Sequence, residues 1–316
     1  MITRNNKKRK RILQDIHTEV KRPCEWRQSN KTQTMEHMIH GIFLLLGLIT
    51  VGCVLLITVY LVISGIPAIR EIGLVEFLFG TEWASTALEP KYGILPFILT
   101  SIYGTAGAIA IGVPVGFMTA VYLSKLASPK VKSVMQSAVS LLAGIPSVVY
   151  GLVGMLVLVP GIRTVFGVPD GASLLAAIIV LAIMILPSII KMSITALDAV
   201  PKEYEDASLA LGATPIETYF KVSVPAAKSG IAASVVLGVG RAIGEAMAVM
   251  MVAGNVPNMP DSLFQSVRFL TTAVSSEMAY SGGLQQQALF SIALVLFLFI
   301  MLINATLNFF LKREKE

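Results

Sequence analysis

Charge is what this sequence has least of. Asp, Glu, Lys and Arg together make up 14% of its 316 residues, and 55% are hydrophobic; a soluble domain carries roughly 25% charged residues. The shortage falls in long blocks with no charge at all, where ~20 apolar residues suffice for a helix to cross a bilayer. A water-soluble fold is excluded. Histidine and cysteine are nearly as scarce. His17, His37 and His40 all precede or open the first apolar run. His37 and His40 can share a helix face, but two ligands without a third do not make a metal site. Cys24 lies in a basic leader and Cys53 inside an apolar run, so the two fall in different phases, which argues against a disulfide. No Ser/His/Asp or Cys/His constellation occurs in the apolar runs. There is no Gly-x4-Gly-Lys-Ser/Thr phosphate loop, so the chain is expected not to be an ATPase. The set Gly238, Gly240, Gly244 has the wrong spacing for a dinucleotide fingerprint and no strand before it; Gly240 and Gly244 are expected to allow close helix contact instead.

What is present is an all-α integral membrane protein with about six spanning helices. They are expected over 39–63, 95–123, 134–159, 173–190, 229–253 and 288–311. The first stops at Ser64-Gly65-Ile66-Pro67. The second holds Gly104, Gly107, Gly112 and Gly116, which favour close packing, and is a candidate to bend at Pro114. The third is interrupted at Gly144-Ile145-Pro146. Trp83 and Tyr92, in the loop after the first, suit a membrane interface. The first apolar run follows a long polar leader and exceeds 20 residues, as an uncleaved anchor does.

The net charge of +6 raises nucleic acid as a partner. Its distribution favours a lipid membrane and no nucleic acid. Ten of the 25 Lys and Arg precede Met38, including the run Lys7-Lys8-Arg9-Lys10-Arg11. With the N-terminus inside, twenty lie in inner segments and four in outer loops (Arg70, Lys91, Arg163 and Arg268). That asymmetry predicts cytoplasmic N- and C-termini and a multi-pass protein of the plasma membrane. Three regions follow: a basic tail over 1–38, a first helix and external loop over 39–94, and a core of the remaining spans over 95–311.

Two features exceed an ordinary scaffold. The first is the polar segment 199–225 between the fourth and fifth spans. Pro201 suits a first helical position and Gly212 the position just past a helix end. Thr214, Pro215 and Glu217 form a capping-box signature for a second helix, which Pro225 should stop. The expected product is two short helices with a sharp corner: an interfacial loop or a docking element. The second feature is Arg241 and Glu245 in the fifth span, both expected near the membrane midplane. A central Arg costs ~2.5–3.5 kcal/mol on insertion scales. At i, i+4 the two share a helix face and can pair. Such a pair either fixes helix packing or marks a solute path.

Asp206-Ala207-Ser208, Gly212 and Val224-Pro225 resemble the EAA loop of ABC-type importer permeases, with Asp for Glu, Ser for the second Ala and Val for Leu. Gly240-Arg-Ala-Ile-Gly-Glu245 resembles the Arg-Ala-x-Gly-Glu signature of phosphate-specific ABC importer permeases. Tyr92-Gly-Ile-Leu-Pro-Phe-Ile98, preceded by Gly80-Thr-Glu-Trp83, is similar to PstC-type more than PstA-type subunits. Gly144-Ile-Pro-Ser-Val-Val-Tyr-Gly151 resembles a segment of both. The resemblance implies an ABC importer type I permease fold that moves inorganic phosphate. It also implies a second, PstA-type permease subunit, two ATP-binding subunits and an extracytoplasmic phosphate-binding protein. This chain would bind no cofactor, ATP residing on the partner subunit. Arg241 and Glu245 would line the substrate pathway. Glu205, Asp206, Ala207, Ser208, Gly212 and Pro225 would couple to the ATPase. Permeases for sulfate or molybdate, and a membrane-embedded proton-relay protein or enzyme, are the alternatives.

Overall fold

A computed structural model describes residues 30–313. Most of the basic tail, with His17, Cys24 and the Lys7–Arg11 run, lies outside the described residues. The chain divides into two compact units at Val59/Tyr60. In the first unit the described residues form the outer part of helix α1 (Asn30–Ile72), apolar on every face from Ile42 onward. A helix apolar all round belongs in lipid or a core.

In the second unit α1 does not stop at Ser64-Gly65-Ile66-Pro67 but runs through it to Ile72. Packing carries it past the proline. The Ser291 hydroxyl of helix α14 (Gly283–Arg313) donates to the Gly65 carbonyl at 2.6 Å. Tyr60 meets Phe290 edge-on at 5.5 Å. A short helix α2 (Leu74–Phe79) follows, then an antiparallel ribbon of β1 (Trp83–Ala84) and β2 (Lys91–Tyr92). Trp83 and Tyr92 are only 6% and 7% exposed. They are core residues of this cap: Trp83 meets Tyr92 edge-on at 5.5 Å and lies tilted against Phe97 at 5.6 Å. The Glu277 carboxylate fastens the cap, accepting from Trp83 Nε1 at 3.3 Å and Gln285 Nε2 at 3.1 Å and pairing with Arg268.

Helix α3 (Leu95–Val121) continues unbroken through Pro114 into a π turn, Tyr122–Leu126. Helix α4 (Pro129–Gly144) ends where Ile145, extended at ψ 127°, precedes Pro146, the conformation that proline imposes on the residue before it. The break separates two elements that hydropathy reads as one. The span is α5 (Ser147–Val153), a π turn (Gly154–Leu158) and α6 (Val159–Phe166), later in the chain than expected. Helix α7 (Leu174–Asp198) also outruns its expected end at residue 190. Among the described residues five continuous helices have the length and hydropathy to cross a membrane, or six if the pair bent by 71°, Pro215–Ala226 with Lys228–Gly244, counts as one span.

The core is organised on α7, 67% buried along its apolar window. Glycines of α3 admit its isoleucines: an added Cβ would fall 2.7 Å from Ile178 at Gly107, 2.6 Å from Ile185 at Gly112 and 2.9 Å from Ile189 at Gly116. On the other side lies α11 (Lys228–Gly244), whose Gly238 also receives Ile189. Ser193 and Ser234, both fully buried, hydrogen-bond across that contact at 2.9 Å.

Gly112→Val should therefore lower stability by about 1–3 kcal/mol through overpacking, seen as a lower melting temperature in detergent. Gly161→Ala, with nothing within 4 Å of the added carbon, should leave it unchanged.

Candidate functional site

The polar segment folds as a helical hairpin. Helix α8 (Lys202–Ala210) is capped by Pro201, one position earlier than a first helical residue. It ends in a Schellman motif: the Ala213 amide donates to Ser208 O at 3.3 Å and the Gly212 amide to Leu209 O at 3.0 Å. Gly212 takes φ +89° to close it. Helix α9 (Pro215–Thr218) opens on the capping box, with Thr214 Oγ1 accepting from the Glu217 amide and Glu217 Oε2 from the Thr214 amide. The Thr214 amide, then Lys221, hold the Glu217 carboxyl below its usual range. The helix runs on through a π turn, Tyr219–Ser223, to a last turn α10 (Val224–Ala226), and the chain bends after Pro225 rather than at it.

The residues singled out in this segment divide by location. Glu205 and Ser208 face inward. Ser208 Oγ meets Thr218 Oγ1 at 2.9 Å, joining the two helices. Glu205 accepts from Ser223 at 2.8 Å and pairs with Lys125 at 2.6 Å. Burial pushes the Glu205 carboxyl up, but Lys125 and Ser223 outweigh it and hold it below the usual carboxylate range. The tie is therefore fully present at neutral pH and is lost only as pH falls through that lowered value. Asp206, Ala207, Gly212 and Pro225 are exposed, beside the exposed apolar side chains of Tyr204, Leu211 and Ile216. Sequence spacing gave no sign of Lys125 or Thr218 as partners.

The second site is a broken helix. α11 ends at Gly244, Glu245 is extended at ψ 126°, and α12 (Met247–Val252) starts afresh. Arg241 and Glu245 do not share a helix face and form no ion pair, which corrects the expectation from their spacing. The break turns Glu245 away: its Oε1 accepts the Ala248 amide at 3.0 Å and its carbonyl accepts from Thr271 Oγ1 at 2.8 Å. Among the described residues Arg241 has one long hydrogen bond, to Ser188 Oγ at 3.4 Å. Ser188 and Thr271 were not legible as part of this site. α12 packs against α5, where an added Cβ at Gly151 would lie 2.9 Å from Ala248 Cα. Both motif segments, Gly144–Gly151 and Gly240–Glu245, are thus helix breaks, and the helices that follow them touch. Gly240 and Gly244 do not mediate helix contact, because nothing lies within 4 Å beyond either, nor beyond Gly144. A separate cavity of about 600 Å³ between α4–α6 and α7 is lined by apolar groups such as Leu142, Val153 and Ile183. It offers an anion no charge.

With this geometry in hand, the comparisons decide the family. The family described as binding-protein-dependent transport system inner membrane component matches residues 112–315. The chain belongs to that family. It is 41% identical over 266 residues to the probable ABC transporter permease protein YqgH of Bacillus subtilis, covering 82% of this chain and 86% of that one. It is 35% identical over 293 residues to the phosphate transport system permease protein PstC of Haemophilus influenzae, covering 86% and 89%. Among solved structures, a bacterial alginate ABC transporter aligns with a TM-score of 0.58 over 87% of this chain and 94% of that chain at 15% identity, a likeness of fold. As a family member, the protein is the membrane-spanning component of a transporter.

Gly212→Val places a β-branched residue at φ +89° and should cost the hairpin roughly 1–2 kcal/mol. Hydrogen exchange should show the Ala213 amide opening about tenfold faster or more, with membrane insertion unchanged.

Proposed function

We propose that this chain is the PstC-type permease subunit of an ATP-driven phosphate importer in the plasma membrane, with both termini cytoplasmic. It would work with a PstA-type second permease, two ATP-binding subunits and an extracytoplasmic phosphate-binding protein. The observation that carries the reading is Arg241, a permanent cation beside a helix break in a spanning segment, using one of its five donors on the protein. A guanidinium presents a planar fork that suits two oxygens of a tetrahedral oxyanion. The open space beyond Gly240 and Gly244 supplies room on the same segment, and the relatives named for phosphate transport supply the substrate.

Glu245 adds a reason for phosphate over sulfate. Every form of inorganic phosphate near neutral pH keeps at least one proton, and a carboxylate accepts that proton's hydrogen bond. Fully ionised sulfate has none to give and meets like charge instead. With one oxygen held by the Ala248 amide, Glu245 is fixed where it selects without neutralising Arg241. Release still requires binding to be weak, and the neighbouring negative charge provides that.

Movement enters through the hairpin. Its exposed face, with Asp206, Ala207, Leu211 and Ile216 around the Gly212 corner, fits the ATP-binding subunit. Closure of the ATP-binding pair would draw on the hairpin and rock the spans, opening the path to each side in turn.

Arg241→Lys keeps the charge and loses the fork. It should reach the membrane at normal levels and lower phosphate uptake roughly tenfold to a hundredfold, the worth of a charged hydrogen bond. Glu245→Gln should raise competition by sulfate. Normal, phosphate-selective uptake by both variants would remove these residues from the pathway.

A further inference from the structure

Lys125 belongs to none of the motifs described above. It lies in the π turn Tyr122–Leu126 that ends α3. A π turn inserts one extra residue into the helical phase and is a device found where a side chain has been re-aimed. A second π turn, Tyr219–Ser223, ends the hairpin, and its last residue is Ser223. These two distortions present Lys125 and Ser223 to the same carboxylate, Glu205 of α8, at 2.6 Å and 2.8 Å.

Surroundings set this contact apart from its neighbours. Lys125 and Glu205 side chains are 11% and 16% exposed. Lys132 and Asp198, which join α4 to the end of α7 close by, are 30% and 41% exposed, and the Lys221–Glu217 pair is more open still. Exposed pairs are worth little. A shielded one is costly to break from one side, because the remaining charge is stranded. The hairpin, continuous with α7 and α11, is thus joined to α3 as well by a shielded contact, and α3 is the span whose glycines interlock with central α7.

We propose that Lys125 is the positioning residue that makes the hairpin and α3 move as one body. Through Glu205 and Ser223 it passes displacement of the hairpin to the α3–α7 core. This rests on the reading of the hairpin as the ATP-driven element, and the test separates the two. The complete transporter is prepared with Cys24 and Cys53 replaced by Ser and spin labels on Glu203→Cys, exposed in the first turn of α8, and Met118→Cys, on the exposed side of α3. The label distance is measured without nucleotide and with ATP and vanadate. Wild type and Lys125→Arg should give the same distance in both states. Lys125→Ala and the isosteric Glu205→Gln should give a distance that shifts with nucleotide, while ATP hydrolysis persists and solute moved per ATP falls about tenfold or more. A wild-type distance that changes with nucleotide overturns the proposal, as does a Lys125→Ala distance that does not. A wild-type complex that hydrolyses ATP and imports no phosphate counts against the functional reading alone, and the distance comparison stands.

Discussion

A bilayer offers a peptide group no hydrogen-bond partner, so every break in a spanning helix must be satisfied from within the protein. The break at Glu245-Ala246 meets that demand with its own acidic side chain. The carboxylate takes the Ala248 amide at the start of α12, and Thr271 takes the carbonyl of Glu245. Once used as a cap, Glu245 is no longer the counter-ion of Arg241. The cation keeps its charge, its fork of donors and the open space beside two glycines. Backbone satisfaction thus leaves the Arg241 guanidinium without a carboxylate partner among the described residues.

Around that break the protein is held rigid by shape. Helix association in lipid has no hydrophobic drive and relies on close approach. The α3 glycines and the α7 isoleucines supply it, with Ile189 seated between Gly116 on one side and Gly238 on the other. α11, which carries Arg241, therefore shares its central partner with α3, which receives the hairpin through Lys125. The helix that carries Arg241 and the helix that holds the hairpin are thus packed on the same partner, α7.

How much of this could be read in advance depended on range. The all-α membrane fold follows from composition, and the hairpin corner from short-range rules, since Gly212 and the Thr214–Glu217 box act within four residues. Failures came where a helix departs from its period. Arg241 and Glu245 were placed on one face because no proline marks the break between them. The third span was drawn across Ile145-Pro146 because hydropathy is blind to a change of direction. Lys125 was invisible because a π turn shifts the phase by one residue, and its partner is eighty residues away. Ser208, standing where the resembled pattern has its second Ala, is the hydroxyl that bonds Thr218.

The most direct test of the central claim is the structure of the complete transporter trapped with phosphate midway across. The account predicts phosphate oxygens within hydrogen-bonding distance of the Arg241 guanidinium, with Glu245 still turned to the Ala248 amide. Arg241 paired with Glu245, and phosphate held elsewhere, would contradict it.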